Sequence, residues 1–302
     1  MNLSVKIGKL KLNNPVMVAS GTFGKEYGKF ININALGAYI TKTITLDPRS
    51  GNLPPRVTET MSGMLNSIGL ENKGLDDFIV NKLSDLSGLK IPIIVSIAGD
   101  SAREYAILVR RLSECKKVSA IELNLSCPNV KHGSRSGLIA QDAEAVRDVV
   151  GKARQNSPLT LIAKLSPNVT DIAAVALAAE DAGADAVSLI NTFPAMAVDI
   201  NTGRPALGNI TGGLSGPAIK PIALKMVRDV YKKIRIPVIG IGGIVDYKDA
   251  LEFMICGAAA FHVGTVNFIN PEAPIEILKG IKNYLKKKNI INIEKVTGSL
   301  KA

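Results

Sequence analysis

Eight short apolar runs rich in Val and Ile, separated by stretches of helical periodicity, constrain this chain more than any other feature of it. They are Val16–Ala19, Ala38–Thr41, Ile93–Ile97, Ala120–Leu123, Thr160–Ala163, Ala186–Ile190, Val238–Ile241 and Ala260–Val263. A strand that is apolar along its whole length is buried on both faces, and strands alternating with helices join as right-handed parallel units. The helices expected between them are Leu75–Leu86, Ala102–Cys115, Ala143–Ala153, Ile172–Asp181, Ile219–Lys232, Lys248–Ile255 and Ala273–Lys286. Ser101, Asp171 and Asp246 stand where helix N-caps are wanted, and Gly183 and Gly257 follow helices where a left-handed residue closes the last turn. Eight strands and eight crossovers close a parallel (β/α)8 TIM barrel. At 302 residues with 46% hydrophobic content, the chain suits a single barrel domain over 1–302.

Two connections are too long for plain strand-to-helix loops: Leu46–Gly74, with Pro48, Pro54 and Pro55, and Thr192–Gly216. Both follow barrel strands, two and six, and so emerge at the barrel end where active sites are built. The polar residues just past strand ends point to the same mouth. Lys42 and Thr43 end strand two, Asn124 strand four, Lys164 strand five, and Asn191 and Thr192 strand six. One lysine beside an apolar run snorkels to water as often as not, but two lysines and two asparagines at matching ends suit an anionic planar ligand.

Glycines mark a second site. Gly240-Ile241-Gly242-Gly243 ends strand seven and Gly264-Thr265 ends strand eight, the pair of loops that holds phosphate in many barrels through backbone N–H groups. Val245 occupies the place of a third glycine, so a dinucleotide fingerprint is not supported. Cys127 follows strand four in Asn124-Leu125-Ser126-Cys127-Pro128-Asn129, flanked by polar residues at the mouth. There a neighbouring cation can stabilise its thiolate as a base. Cys115 and Cys256 read as small core hydrophobes, His262 as a core residue inside strand eight, and His132 as a loop residue that either meets substrate or a partner or serves no site at all.

Three cysteines without paired spacing give neither a disulfide framework nor a zinc or iron–sulfur site, so no metal is expected. No run of about 18 apolar residues and no basic-then-apolar leader is seen, which makes a cytoplasmic protein without membrane contact the expectation. The formal charge of +11 is dispersed. Its dense run, Lys286-Lys287-Lys288, has no aromatic platform beside it, so no nucleic-acid partner is expected.

Together, Ala19-Ser20-Gly21-Thr22-Phe23-Gly24, Asn66-Ser67-Ile68-Gly69-Leu70, Asn124-Leu125-Ser126-Cys127-Pro128-Asn129 and Ile241-Gly242-Gly243-Ile244 resemble the class 1 dihydroorotate dehydrogenases. The cysteine after strand four separates that class from the membrane-bound class, which has serine there. The segments Pro55-Arg56-Val57 through Met64-Leu65-Asn66, and Val130-Lys131-His132-Gly133, are similar to subclass 1B. The resemblance implies FMN held by Ser20, Lys42, Thr43, Asn124, Lys164, Ile190, Gly216, Gly242, Gly243, Gly264 and Thr265. It implies dihydroorotate or orotate held by Lys42, Asn66, Ser67, Ile68, Gly69, Leu70, Asn124, Asn191 and Thr192, with Cys127 as the catalytic base. It further implies oxidation of dihydroorotate in pyrimidine biosynthesis, and a homodimer at the core of a heterotetramer. A partner subunit would carry FAD and a 2Fe–2S cluster and pass electrons to NAD. The loop Gly133-Ser134-Arg135-Ser136 departs from the plainer glycine-rich stretch common in the family, without implying a change of substrate. A fumarate-reducing subclass 1A homodimer is the nearest alternative. A tRNA-dihydrouridine synthase fits less well, because only about 40 residues follow strand eight, too few for its extra RNA-binding domain.

Overall fold

In the computed structural model, which describes residues 1–125 and 139–301, an eight-stranded parallel sheet is closed into a barrel. Its strands are Val16–Val18, Tyr39–Ile40, Ile93–Ile97, Val118–Asn124, Thr160–Lys164, Ala186–Leu189, Val238–Ile241 and Ala258–Val263. They lie side by side in chain order, the eighth pairs with the first, and the bridge between Met17 and Ala38 joins the first to the second. Closure there demands Gly37: a Cβ at that position would lie 2.1 Å from the Asn14 carbonyl oxygen. The apolar side chains of the strands and of the inward helix faces form one continuous core, as double burial of each strand requires.

The crossover helices are Ala102–Ser113, Ala143–Gln155, Ile172–Asp181, Lys220–Tyr231, Tyr247–Cys256 and Ala273–Lys287, preceded by a helical run made of Gly74–Asp77, a π turn at Phe78–Lys82, and Leu83–Asp85. The first crossover carries no α-helix and uses two short 3-10 turns instead, Lys25–Lys29 and Ile33–Ala35. The expected caps are in place. Ser101 accepts from the Glu104 N–H, Asp171 from those of Ala173 and Ala174, and Asp246 forms a capping box with Asp249. Gly257 closes its helix at φ +125°, with the Tyr231 ring packed where a side chain would sit.

Further strands lie outside the barrel, among them a short ladder of Val198–Asp199 with Arg204–Pro205. An N-terminal hairpin, Val5–Ile7 with Leu10–Leu12, covers the barrel end opposite the mouth, where Lys9 N–H bonds the Thr160 hydroxyl. The two long connections are not loops alone. They pair with each other as a four-stranded antiparallel sheet in the order Phe193–Met196, Thr211–Ser215, Gly63–Asn66, Val57–Thr60. Among the described residues no helix is long and apolar enough to cross a membrane.

Candidate active site

Strand register sets the ring of residues at the mouth. Asn124 pairs with Lys164, Lys164 with Ser188, and the Ile190 N–H reaches the Ile241 carbonyl. Side chains two apart on a strand share a face, so Glu122 and Asn124 both point inward, and Ser188 and His262 meet Glu122 from their own strands. Asn124 lies at the rim, and Glu122, Ser188 and His262 form a polar layer beneath it.

At the rim, Ser20 and Thr43 share a hydrogen bond of 2.9 Å between hydroxyls. The Asn191 amide donates to the Asn124 side-chain oxygen at 3.3 Å, and Tyr105 O–H holds the Asn124 carbonyl at 2.8 Å. Lys42 is exposed, with its ammonium beside Gly21, whereas Lys164 is buried. The segment 66–70 is carried to the same mouth by the antiparallel sheet: Asn66 pairs with Gly213, and a Cβ at Gly213 would strike the Thr192 hydroxyl at 2.0 Å. Asn66 Nδ2 donates to the Gly213 carbonyl, Asn52 Nδ2 donates to the Ser67 hydroxyl at 2.8 Å, and Asn52 N–H bonds the Ile68 carbonyl. Gly69 and Leu70, at φ +75° and +57°, turn the chain so that Leu70 packs on Ala98, just past strand three.

The glycine corner is also assembled. Gly242 and Gly243 take φ +126° and +71°, and a Cβ at Gly243 would lie 2.8 Å from the Gly216 carbonyl. Thr265 donates its hydroxyl to Ser215 at 2.9 Å, just before Gly216. The N–H groups of Gly243, Ile244, Gly264 and Thr265 find no protein acceptor among the described residues. Four such donors at the ends of adjacent strands form a nest for an anion.

Beneath the rim lies a layer that sequence reasoning missed. Glu122 is completely buried in the middle of strand four, with Ser188 Oγ donating to its Oε2 at 3.1 Å and the Lys164 ammonium forming an ion pair with its Oε1 at 3.7 Å. Burial alone would raise its pKa. The Lys164 charge, the nearby His262 and hydrogen bonds from Ser188 and Ser96 outweigh burial and hold the carboxyl below its usual range. A hydroxyl chain continues from Ser96 to Thr43 at 3.0 Å and on to Ser20. His262 is buried as expected, 3.9 Å from Glu122, and both its ring nitrogens lack a hydrogen-bond partner. Burial pushes its pKa down to about 4; Glu122 opposes that shift and Lys164 adds to it. A signal for this layer was present: Glu122 interrupts an apolar strand two residues before Asn124, on the same face. Cys115 and Cys256 are half-buried against the core, and burial raises both thiol pKa values, in keeping with inert thiols. Cys127 and His132 lie outside the described residues.

The family model described as dihydroorotate dehydrogenase matches residues 2–285. The chain belongs to the dihydroorotate dehydrogenase family. It is 52% identical over 304 residues to the dihydroorotate dehydrogenase B (NAD(+)) catalytic subunit of Thermoanaerobacter sp. (strain X514), covering 100% of this chain and 99% of the relative. It is 50% identical to the proteins of the same name from Caldicellulosiruptor saccharolyticus, over 99% of each chain, and Geotalea daltonii, over 99% of this chain and 98% of the relative. For a dihydroorotate dehydrogenase, the inserted antiparallel sheet is the element that joins the segment 66–70 to the mouth, and the buried carboxylate under Lys164 is the element with no counterpart in the motifs.

Proposed function

We propose that this chain is the catalytic subunit of an NAD-linked dihydroorotate dehydrogenase, a single FMN-binding barrel domain over residues 1–302. It oxidises (S)-dihydroorotate to orotate in de novo pyrimidine biosynthesis. The observation that carries the reading is the meeting at one barrel mouth of an acceptor-free N–H nest, the buried Lys164 and the Asn66, Asn124, Asn191 and Thr192 cluster. The nest suits a phosphate monoester, Gly216, Gly242, Gly243, Gly264 and Thr265 being its walls, and the amide cluster suits the carboxylate and ring amides of a dihydropyrimidine.

FMN, when bound, supplies the acceptor for the hydride that leaves C6 of the substrate. Cys127 takes the proton from C5 on the opposite face, its thiolate becoming a thiol. Lys42 and Lys164 present positive charge where negative charge gathers, with Ser20, Thr43 and Ile190 completing the flavin's seat. Ser67, Ile68, Gly69 and Leu70 shield the substrate from water. A separate subunit carrying FAD and a 2Fe–2S cluster would take the electrons on to NAD, with this chain as the homodimer core of a cytoplasmic heterotetramer. The name shared by the relatives, an NAD(+)-linked catalytic subunit, supports the NAD linkage and a separate partner subunit.

The test is anaerobic. The chain is purified alone, its yellow flavin spectrum recorded, and dihydroorotate added. Bleaching that neither fumarate nor NAD reverses quickly supports the proposal; rapid reoxidation by fumarate points to a self-sufficient homodimer, and an unbleached flavin refutes the substrate.

A further inference from the structure

The N–H nest has a mechanical support that the reaction does not explain. After Gly243 the chain runs through Ile244, Val245 and Asp246 into the helix Tyr247–Cys256, and Asp249 in its first turn reaches back. Its Oδ2 accepts from the Val245 N–H at 2.9 Å and the Asp246 N–H at 3.1 Å. Its Oδ1 takes the Lys220 ammonium at 2.5 Å, and Glu252 holds the same ammonium at 3.0 Å. Lys220 opens the neighbouring helix, four residues past Gly216, and a Cβ at Gly243 would lie 2.8 Å from Lys220 Cβ. One carboxylate therefore ties the two walls of the nest, the Gly216 turn and the Gly242–Gly243 turn.

Helix capping accounts for only part of this arrangement. A capping box needs the exchange between Asp246 and Asp249; it does not need a cation from another helix, nor the Val245 N–H. By taking the N–H groups of Val245 and Asp246, Asp249 leaves those of Gly243 and Ile244 as the donors on this side, facing Gly264 and Thr265. Lys220 is engaged by two carboxylates, so its part is to hold backbone, not to meet an anion. Both side chains are mostly buried, at 25% and 15% exposure, which lets the pair act as a fixed strut where an exposed pair would be screened.

Resting on the phosphate site proposed above, we propose that the Lys220–Asp249 pair is the positioning device of that site, and that it makes the chain select the phosphorylated flavin over riboflavin. A nest built from backbone donors gains affinity only if its walls stand at the right separation before the ligand arrives. Riboflavin has the same ring system and no phosphate, so it reports on the rest of the mouth.

The experiment strips the full chain of flavin and titrates it with FMN and with riboflavin, following quenching of flavin fluorescence. Wild type should bind FMN much more tightly. Lys220→Met should lower FMN affinity about tenfold, or about 1.4 kcal/mol, and leave riboflavin affinity within about twofold, with Lys220→Arg restoring most of the loss. Asp249→Asn cuts the same link from the other side, so a folding defect in one variant, seen by circular dichroism, leaves the comparison intact. An equal fall for both ligands, or no fall for FMN, overturns the positioning role. If wild type does not discriminate the two flavins, the phosphate site itself is refuted, a result that needs no variant.

Discussion

Acid should weaken this barrel earlier than its carboxylates alone would, because His262 is buried beside Glu122 without a hydrogen-bond partner. The imidazole titrates at about 4 in the fold against 6.5 in an unfolded chain. Between those values the unfolded chain binds more protons, so stability rises with pH through the window and falls as the pH drops from 6.5 toward 4. A shift of that size withdraws about 3 kcal/mol in all, and about 2 kcal/mol by pH 5. Glu122 contributes in a lower window: its depressed pKa gives stability that is full above its unfolded value of 4.5 and lost as pH falls through the folded value. The two can therefore be separated at pH 5. Urea unfolding of the flavin-free chain at pH 7 and pH 5, for wild type and His262→Gln, reads the difference. The variant should lose about 2 kcal/mol less than wild type between the two pH values. Parallel losses would refute the claim that the fold holds this imidazole neutral.

Removing the buried carboxylate with Glu122→Ala strands Lys164 and the hydroxyl of Ser188, and should cost about 3–5 kcal/mol in urea unfolding at pH 7; a change under 1 kcal/mol by this estimate would mean that Lys164 finds another partner. Cys127→Ser should slow flavin reduction by dihydroorotate steeply near neutral pH, measured in a single anaerobic turnover, and a rate equal to wild type would remove Cys127 from the base role. Asp171→Ala removes a cap that serves two N–H groups and should lower stability by about 1 kcal/mol, visible as a lower Tm with substrate oxidation unchanged. Gly257→Ala meets both a left-handed φ and the Tyr231 ring, and a soluble variant with an unchanged Tm would contradict that packing.

All eight barrel strands could be read from the chain to within two residues, because a strand buried on both faces must be apolar throughout and cannot hide among polar residues. Lys42, Thr43, Asn124, Lys164, Asn191 and Thr192 followed from the same rule, since a polar side chain just past such a run has reached the end of the barrel. The antiparallel sheet over the mouth was not legible. Its strand Thr211–Ser215, with two adjacent glycines, has little β propensity of its own, and its pairing of Gly213 with Asn66 spans almost half the chain. Only the two long connections showed that something stood there. The polar layer was missed for a related reason: Ser96, Glu122, Ser188 and His262 each sit alone in an apolar run, and one polar residue in a strand says little until its neighbours across the sheet are known.

The sequence by itself determined the barrel, the end at which it is open, and the strand-end residues gathered there, because periodicity and strand-end position are local properties of the chain. Tertiary structure alone decided which of those residues meet. It paired the two long connections, placed Lys164 over a buried carboxylate, lowered the titration of His262 and tied the Gly216 and Gly242 turns through Lys220 and Asp249. Each of these depends on contacts between distant segments, and on the loss of water around charged groups that only a closed barrel produces.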